Sequence, residues 1–148
     1  SPSALKGACR DLGERCAEVE LISADITRWA PMRAWQGWHD RAVFHFLIDR
    51  PARDAYVATA MRAIEPGGRL VLGCFASDGP DECSGLPTAR YDTDDLVEIF
   101  HPFALVDSFR QEHRTPWGSV QAFTWAVFRR GDDAPLNVGQ CRAEPATH

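Results

Sequence analysis

The sequence predicts an α/β domain with a mostly parallel sheet closed by an antiparallel hairpin. Three observations carry this. Segments of helical period alternate with short apolar runs, as when strands are joined by crossover helices. A Pro66-Gly67-Gly68 turn feeds directly into the apolar residues 69–75. Finally, two runs rich in β-formers, residues 104–110 and 121–128, follow one another with only a short polar connection between them.

The chain opens with Ser1-Pro2, an N-cap followed by proline at the first helical position. Leu5, Cys9 and Leu12 then fall on one helix face, and Gly13 closes it. Residues 19–24 form an apolar run ending in Asp25-Ile26-Thr27 and read as a strand running into a loop that includes Pro31. Beyond Pro51, Val57, Ala60, Met61 and Ile64 supply an apolar helical face, with Thr59 and Arg62 directed away from it. A buried strand over 69–75 and a long polar loop to about Arg90 come next. Asp92 or Thr93 can cap a helix through Leu96, Ile99 and Phe100 that ends before Pro102. The hairpin follows, its connection expected over 112–118. One domain over 1–130 and a frayed tail over 131–148 are expected.

Composition narrows the class of function. At 148 residues, 45% hydrophobic and 25% charged, the chain suits one globular domain with a real core. A net charge of −5 argues against a sequence-independent grip on nucleic acid. No apolar run reaches membrane-spanning length and no signal peptide is recognisable, so a soluble, cytoplasmic protein without membrane contact is expected. The five cysteines are scattered without a CxxC pair, so reduced thiols and no metal site are expected, with Cys9 as a small buried hydrophobe.

The chemistry concentrates in residues 38–47, Trp-His-Asp-Arg-Ala-Val-Phe-His-Phe-Leu, where four ionisable side chains interrupt a bulky apolar run. A strand buried on both faces tolerates no such interruption, so His39, Asp40 and Arg41 are expected where the strand has ended and the chain crosses the sheet's mouth. In open α/β sheets, ligands bind there. His45 titrates near neutrality and follows this loop by one helical turn, which makes it a candidate general base. Packing between Phe44 and Phe46 is the competing role. An Asp40–Arg41 ion pair securing the turn competes with a ligand role for those two residues. Asp25 could likewise cap its loop. The connection Glu112-His113-Arg114-Thr115-Pro116-Trp117-Gly118 gathers acidic, cationic and aromatic groups, as recognition loops do, and Tyr91 ends a long loop suited to a substrate lid. Cys83 has no neighbouring histidine to activate it.

Several of these motifs together resemble the C-terminal portion of the class I S-adenosylmethionine-dependent methyltransferases. Ser23-Ala24-Asp25-Ile26-Thr27 is similar to the family's third-strand end, residues 38–46 to its fourth-strand end, and Pro66-Gly67-Gly68-Arg69-Leu70-Val71-Leu72 to its fifth-strand turn. The Trp-His-Asp-Arg variant looks closest to small-molecule enzymes of the thiopurine-like branch. The resemblance covers about residues 1–130. It implies a partial Rossmann-like fold and S-adenosylmethionine as cofactor, with Asp25 and Ile26 at the adenine. His39, Asp40 and Arg41 would line the methionine end, with His45, Tyr91, His113, Arg114 and Trp117 toward a small-molecule acceptor. The first two strands, the Gly-rich loop and the ribose-binding acid of the family have no counterpart here, and Gln36 stands where relatives carry an acidic residue. Inactivity of the chain alone is therefore expected, together with an unpaired sheet edge open to self-association or a partner. A non-catalytic binding domain is the alternative.

Overall fold

A computed structural model describes residues 1–116 and 118–132. Their sheet has four main strands: β1 (Trp35–Arg41), β2 (Ile64–Phe75), β5 (Phe103–Arg114) and β6 (Val120–Arg130), in the order β1-β2-β6-β5. β1 and β2 run parallel, while β6 is antiparallel to both β2 and β5. The two-residue strands β3 (Glu82–Cys83) and β4 (Leu86–Pro87) pair only with each other, inside the long loop after β2. This is the expected α/β architecture with its closing hairpin. The connection is shorter than expected, because β5 runs on through His113 and Arg114. Trp117 and the tail from 133 onward lie outside the described residues.

Helix α2 (Arg50–Ala63) begins at Asp49, whose carboxylate accepts the Ala52 N–H at 2.8 Å. It passes directly into β2 at Ile64. The Pro66-Gly67-Gly68 turn is absorbed as an irregularity, with Trp35 opposite Ile64 but Gly37 opposite Arg69. Gly68 is required there: a Cβ would lie 2.7 Å from Ile64 Cγ2 and 2.8 Å from the Glu65 carbonyl oxygen. Helix α3 (Thr93–Ile99) starts at Asp92, whose N–H donates to the Asp95 carboxylate at 2.8 Å. Both helices cover one face of the sheet. Tyr56, Val57, Ala60, Leu96 and Phe100 pack there on Leu70, Leu72, Cys74, Ala126 and Phe128. Thr59 is buried with them instead of pointing outward.

The N-terminal third departs from expectation. Helix α1 (Pro2–Leu12) forms as its cap predicts but buries no residue. A 3-10 segment over Gly13–Glu18 folds back from it and brings Cys16 against Cys9, and the two form a disulfide with Cα atoms 5.1 Å apart. These thiols are thus neither reduced nor core residues, because the turn at Gly13 supplies a proximity that spacing alone does not reveal. Residues 19–24 are not a strand. They run without a ladder partner, since an apolar run becomes a strand only where another backbone meets its hydrogen bonds.

Candidate functional site

The C-terminal end of β1 organises the site, and it differs from expectation in a way fixed by strand parity. His39, Asp40 and Arg41 belong to the strand itself, and the chain turns only at Ala42, in the left-handed region at φ 62°. Successive residues alternate faces. Trp38 and Asp40 therefore point toward α2, whereas His39 and Arg41 point to the opposite face.

Asp40 is 5% exposed and fully engaged. Its Oδ1 accepts the Val43 N–H at 3.0 Å and its Oδ2 accepts the Tyr56 hydroxyl at 2.5 Å. Tyr56 in turn accepts the Trp38 indole N–H at 3.1 Å. The carboxylate thus clamps the turn after β1 to α2. Burial raises its pKa, opposed by the Tyr56 and Val43 hydrogen bonds. Burial, reinforced by the Asp40 charge, lifts the Tyr56 hydroxyl well above its ordinary value.

His45 lies in a 3-10 turn over Phe44–Phe46 and is wholly buried. Its ring sits 4.6 Å from that of Phe46 and 4.4 Å from that of Phe75, and neither nitrogen has a hydrogen-bond partner among the described residues. Burial lowers its pKa from 6.5 to about 4. This arrangement makes it a packing residue beneath the loop after β2, not a base at a cleft. Its carbonyl ties that loop down by accepting the Ala89 N–H at 2.8 Å.

On the opposite face, His39 and Arg41 border an aromatic shelf that the sequence did not announce. Trp125 lies across Gly73, where a Cβ would stand 2.8 Å from the indole ring carbons. Its other neighbours are His39, with ring centroids 5.9 Å apart, and Phe109, stacked in parallel at 6.0 Å. The indole N–H donates to Gln111 at 2.9 Å. Arg41 sits over Phe123 at 5.6 Å. Strand pairing aligns Gly73, Trp125 and Phe109 across three strands, and such alignment appears only once the register is known.

Beside the edge of β1 that no strand among the described residues pairs lies a cleft of about 460 Å³, with Ile22, Ala24, Ile26 and Trp29 on one wall and Trp35, Gly37, Trp38 and His39 on the other. It unites two of the expected cofactor residues, Ile26 and His39. Asp25 is exposed and accepts the Thr27 hydroxyl at 2.7 Å and backbone N–H at 3.0 Å, bonds that hold its pKa below the usual value. Tyr91 is buried against Phe44 and lines a separate groove between α2 and α3. Across the sheet Arg41 lines up with Phe109, so His113 and Arg114 lie on the far edge strand and four and five residues beyond that register. Clustering of Trp29, Trp35 and Trp38 was the one sequence signal for this cleft. No helix among the described residues is long and apolar enough to cross a membrane.

The fold is a Rossmann-like α/β sheet ending in an antiparallel hairpin, similar to that of S-adenosylmethionine-dependent methyltransferases of known structure. Among solved structures it is similar to the N-methyltransferase NodS of Bradyrhizobium japonicum, at 15% identity and TM-score 0.68 over 89% of this chain and 70% of that one. A 1,6-didemethyltoxoflavin-N1-methyltransferase of Burkholderia thailandensis, with S-adenosylhomocysteine bound, matches at 20% identity and TM-score 0.63 over 86% and 56%. A methyltransferase of Methanosarcina mazei matches at 11% identity and TM-score 0.61 over 74% and 66%. The chain thus spans between about half and 70% of the length of these proteins. No family model and no curated sequence matches it.

Proposed function

We propose that this chain is the C-terminal part of a small-molecule methyltransferase of the thiopurine-like kind that uses S-adenosylmethionine, and that alone it is inactive. The observation carrying this reading is the strand order β1-β2-β6-β5, with one parallel pair and a terminal antiparallel hairpin. In this order the mouth beyond β1 is where an α/β sheet takes its ligand. A soluble, cytoplasmic setting belongs to the same proposal.

The residues present fit the donor in part. Ile22, Ala24 and Ile26 offer an apolar wall to adenine, with Asp25 beside them, and His39 continues that wall toward the methionine end. Arg41 presents an exposed guanidinium there for a carboxylate. Asp40 contributes by holding the turn at Ala42, since both its oxygens are already bonded inward. His113 and Arg114 rim the acceptor side. When bound, the donor supplies an electrophilic methyl group on a sulfonium. Nothing among the described residues cradles its ribose, so no transfer step is assigned to this chain.

Ultraviolet cross-linking with methyl-tritiated S-adenosylmethionine at millimolar concentration tests the reading. Label is expected in peptides spanning 22–26 or 39–41 and is expected to disappear with excess S-adenosylhomocysteine but not with ATP. Labelling indifferent to S-adenosylhomocysteine would sink it.

A further inference from the structure

We infer that the groove between α2 and α3 binds an amphipathic monocarboxylate, with its carboxylate at Arg53, Arg90 and the Tyr91 hydroxyl and its apolar body along Val57, Met61 and Ile99. Both helices run back along the sheet. α2 leads from the end of β1 to the start of β2, and α3 from beyond the end of β2 to the start of β5, which is parallel to β2. Their N-termini therefore share one end of a groove of about 730 Å³. Small-molecule sites commonly enclose about 300–1,000 Å³. Arg50, Arg53, Asp54, Val57 and Met61 follow one another at helical spacing and line it from α2, so its head is charged and its length apolar.

A donor without an acceptor marks that head. Tyr91 is 5% exposed, and its hydroxyl has no hydrogen-bond partner among the described residues. Burial raises its pKa and the nearby Arg53 guanidinium opposes that rise, but a guanidinium holds only donors and cannot receive the hydroxyl proton. Arg53 uses one N–H on the Ile48 carbonyl at 3.0 Å, and Arg90 one on the Gly79 carbonyl at 3.5 Å, which leaves other donors on each. An anionic oxygen completes all three groups at once. Turning the Arg53 head aside admits it to the hydroxyl, a side-chain adjustment common on binding. The remaining ionisable groups of the lining limit the charge. Arg50 faces Asp54 at 3.6 Å, an Asp95 oxygen accepts the Asp92 N–H at 2.8 Å, and Glu98 and His101 lie further along. Asp95 and Glu98 repel a doubly charged phosphate more than a single carboxylate. Met61 lies about 12 Å beyond Arg53 along α2 at about 1.5 Å rise per residue, room for a medium-length alkyl chain. The groove shares no lining residue with the cleft beside β1, so binding there is independent of methyl transfer.

Equilibrium dialysis of the intact chain against radiolabelled octanoate at millimolar concentration decides it. Saturable binding is expected, displaced by unlabelled octanoate and at least tenfold less effectively by octanol, octylammonium or acetate. Tyr91→Phe and Arg90→Gln are each expected to weaken octanoate about tenfold, the loss of one hydrogen bond to a charged group. The urea midpoint of Tyr91→Phe is expected to be no lower than that of the parent, because the hydroxyl it removes has no partner in the free protein. No saturable binding overturns the inference. Octanol competing as well as octanoate overturns it, since the groove is then merely apolar, and octyl phosphate binding more tightly rejects the single charge. Undiminished affinity in both variants, or displacement by S-adenosylhomocysteine, places the carboxylate at another site and overturns it too.

Discussion

Two polar side chains of the 38–47 run end inside the molecule, where burial disfavours the charge on each and hydrogen bonds offset that only at Asp40. Asp40 finds the Tyr56 hydroxyl and the Val43 N–H, and hydrogen bonds to a charged group contribute about 1.5–3 kcal/mol each. His45 finds no partner, only the rings of Phe46 and Phe75, so its imidazole is tolerable there only while neutral. Its folded pKa, about 4, lies below the 6.5 of the unfolded chain, so the unfolded state binds the proton more readily. Stability is thus complete above about pH 6.5 and falls as pH drops toward about 4, by about 3 kcal/mol for this residue. Urea titrations between pH 7 and 4 are expected to show that loss in the native chain, and in His45→Leu a curve flatter by a comparable amount. Equal slopes in the two proteins would refute the assignment.

Elements differ in how firmly the rest of the molecule holds them. α2, β2 and the β5–β6 hairpin share one core, whereas α1 buries nothing and is tied by the Cys9–Cys16 bridge to the turn that follows it. An isolated helix of eleven residues is marginal in water. Reduction with a phosphine is therefore expected to lower far-ultraviolet helix signal while moving the cooperative unfolding midpoint by less than about 0.5 kcal/mol. A large loss of global stability would show that α1 packs on the sheet after all. The same contrast explains what was legible in the sequence. α2, β2 and the hairpin carried their own punctuation, a Pro51 start, the Pro-Gly-Gly turn and two β-former runs joined by a short polar connection, so local chemistry sufficed to place them. Residues 19–24 had the composition of a strand but no partner, and composition cannot supply one. In the candidate site, the crowding of His39, Asp40 and Arg41 was legible. Which of them faced the core depended on where β1 began, and Asp40's partner Tyr56 lies 16 residues away on a different element. Gly73, Trp125 and Phe109 are more distant still and meet only through the register of three strands.

The described residues build an asymmetric sandwich, one main sheet with helices α2 and α3 on a single side. The other side is closed in part by its own side chains: Trp125 lies down over Gly73, and Phe75 and Phe123 pack with it in a second, smaller cluster. That closure is incomplete. Phe109 remains 52% exposed although it stacks on Trp125. A sheet that exposes apolar residues beside an aromatic shelf binds planar apolar probes in its native state. An anilinonaphthalene sulfonate dye is accordingly expected to fluoresce with the folded chain at neutral pH, where the cooperative urea transition is intact. Phe109→Lys removes the outer ring of the stack and is expected to reduce the signal at least twofold. An aromatic pair contributes about 1 kcal/mol beyond area burial, so the same variant should lose about that much stability and stay folded. Dye fluorescence unchanged in Phe109→Lys would place the apolar surface elsewhere, with the cleft beside β1 the next surface to probe by the same method.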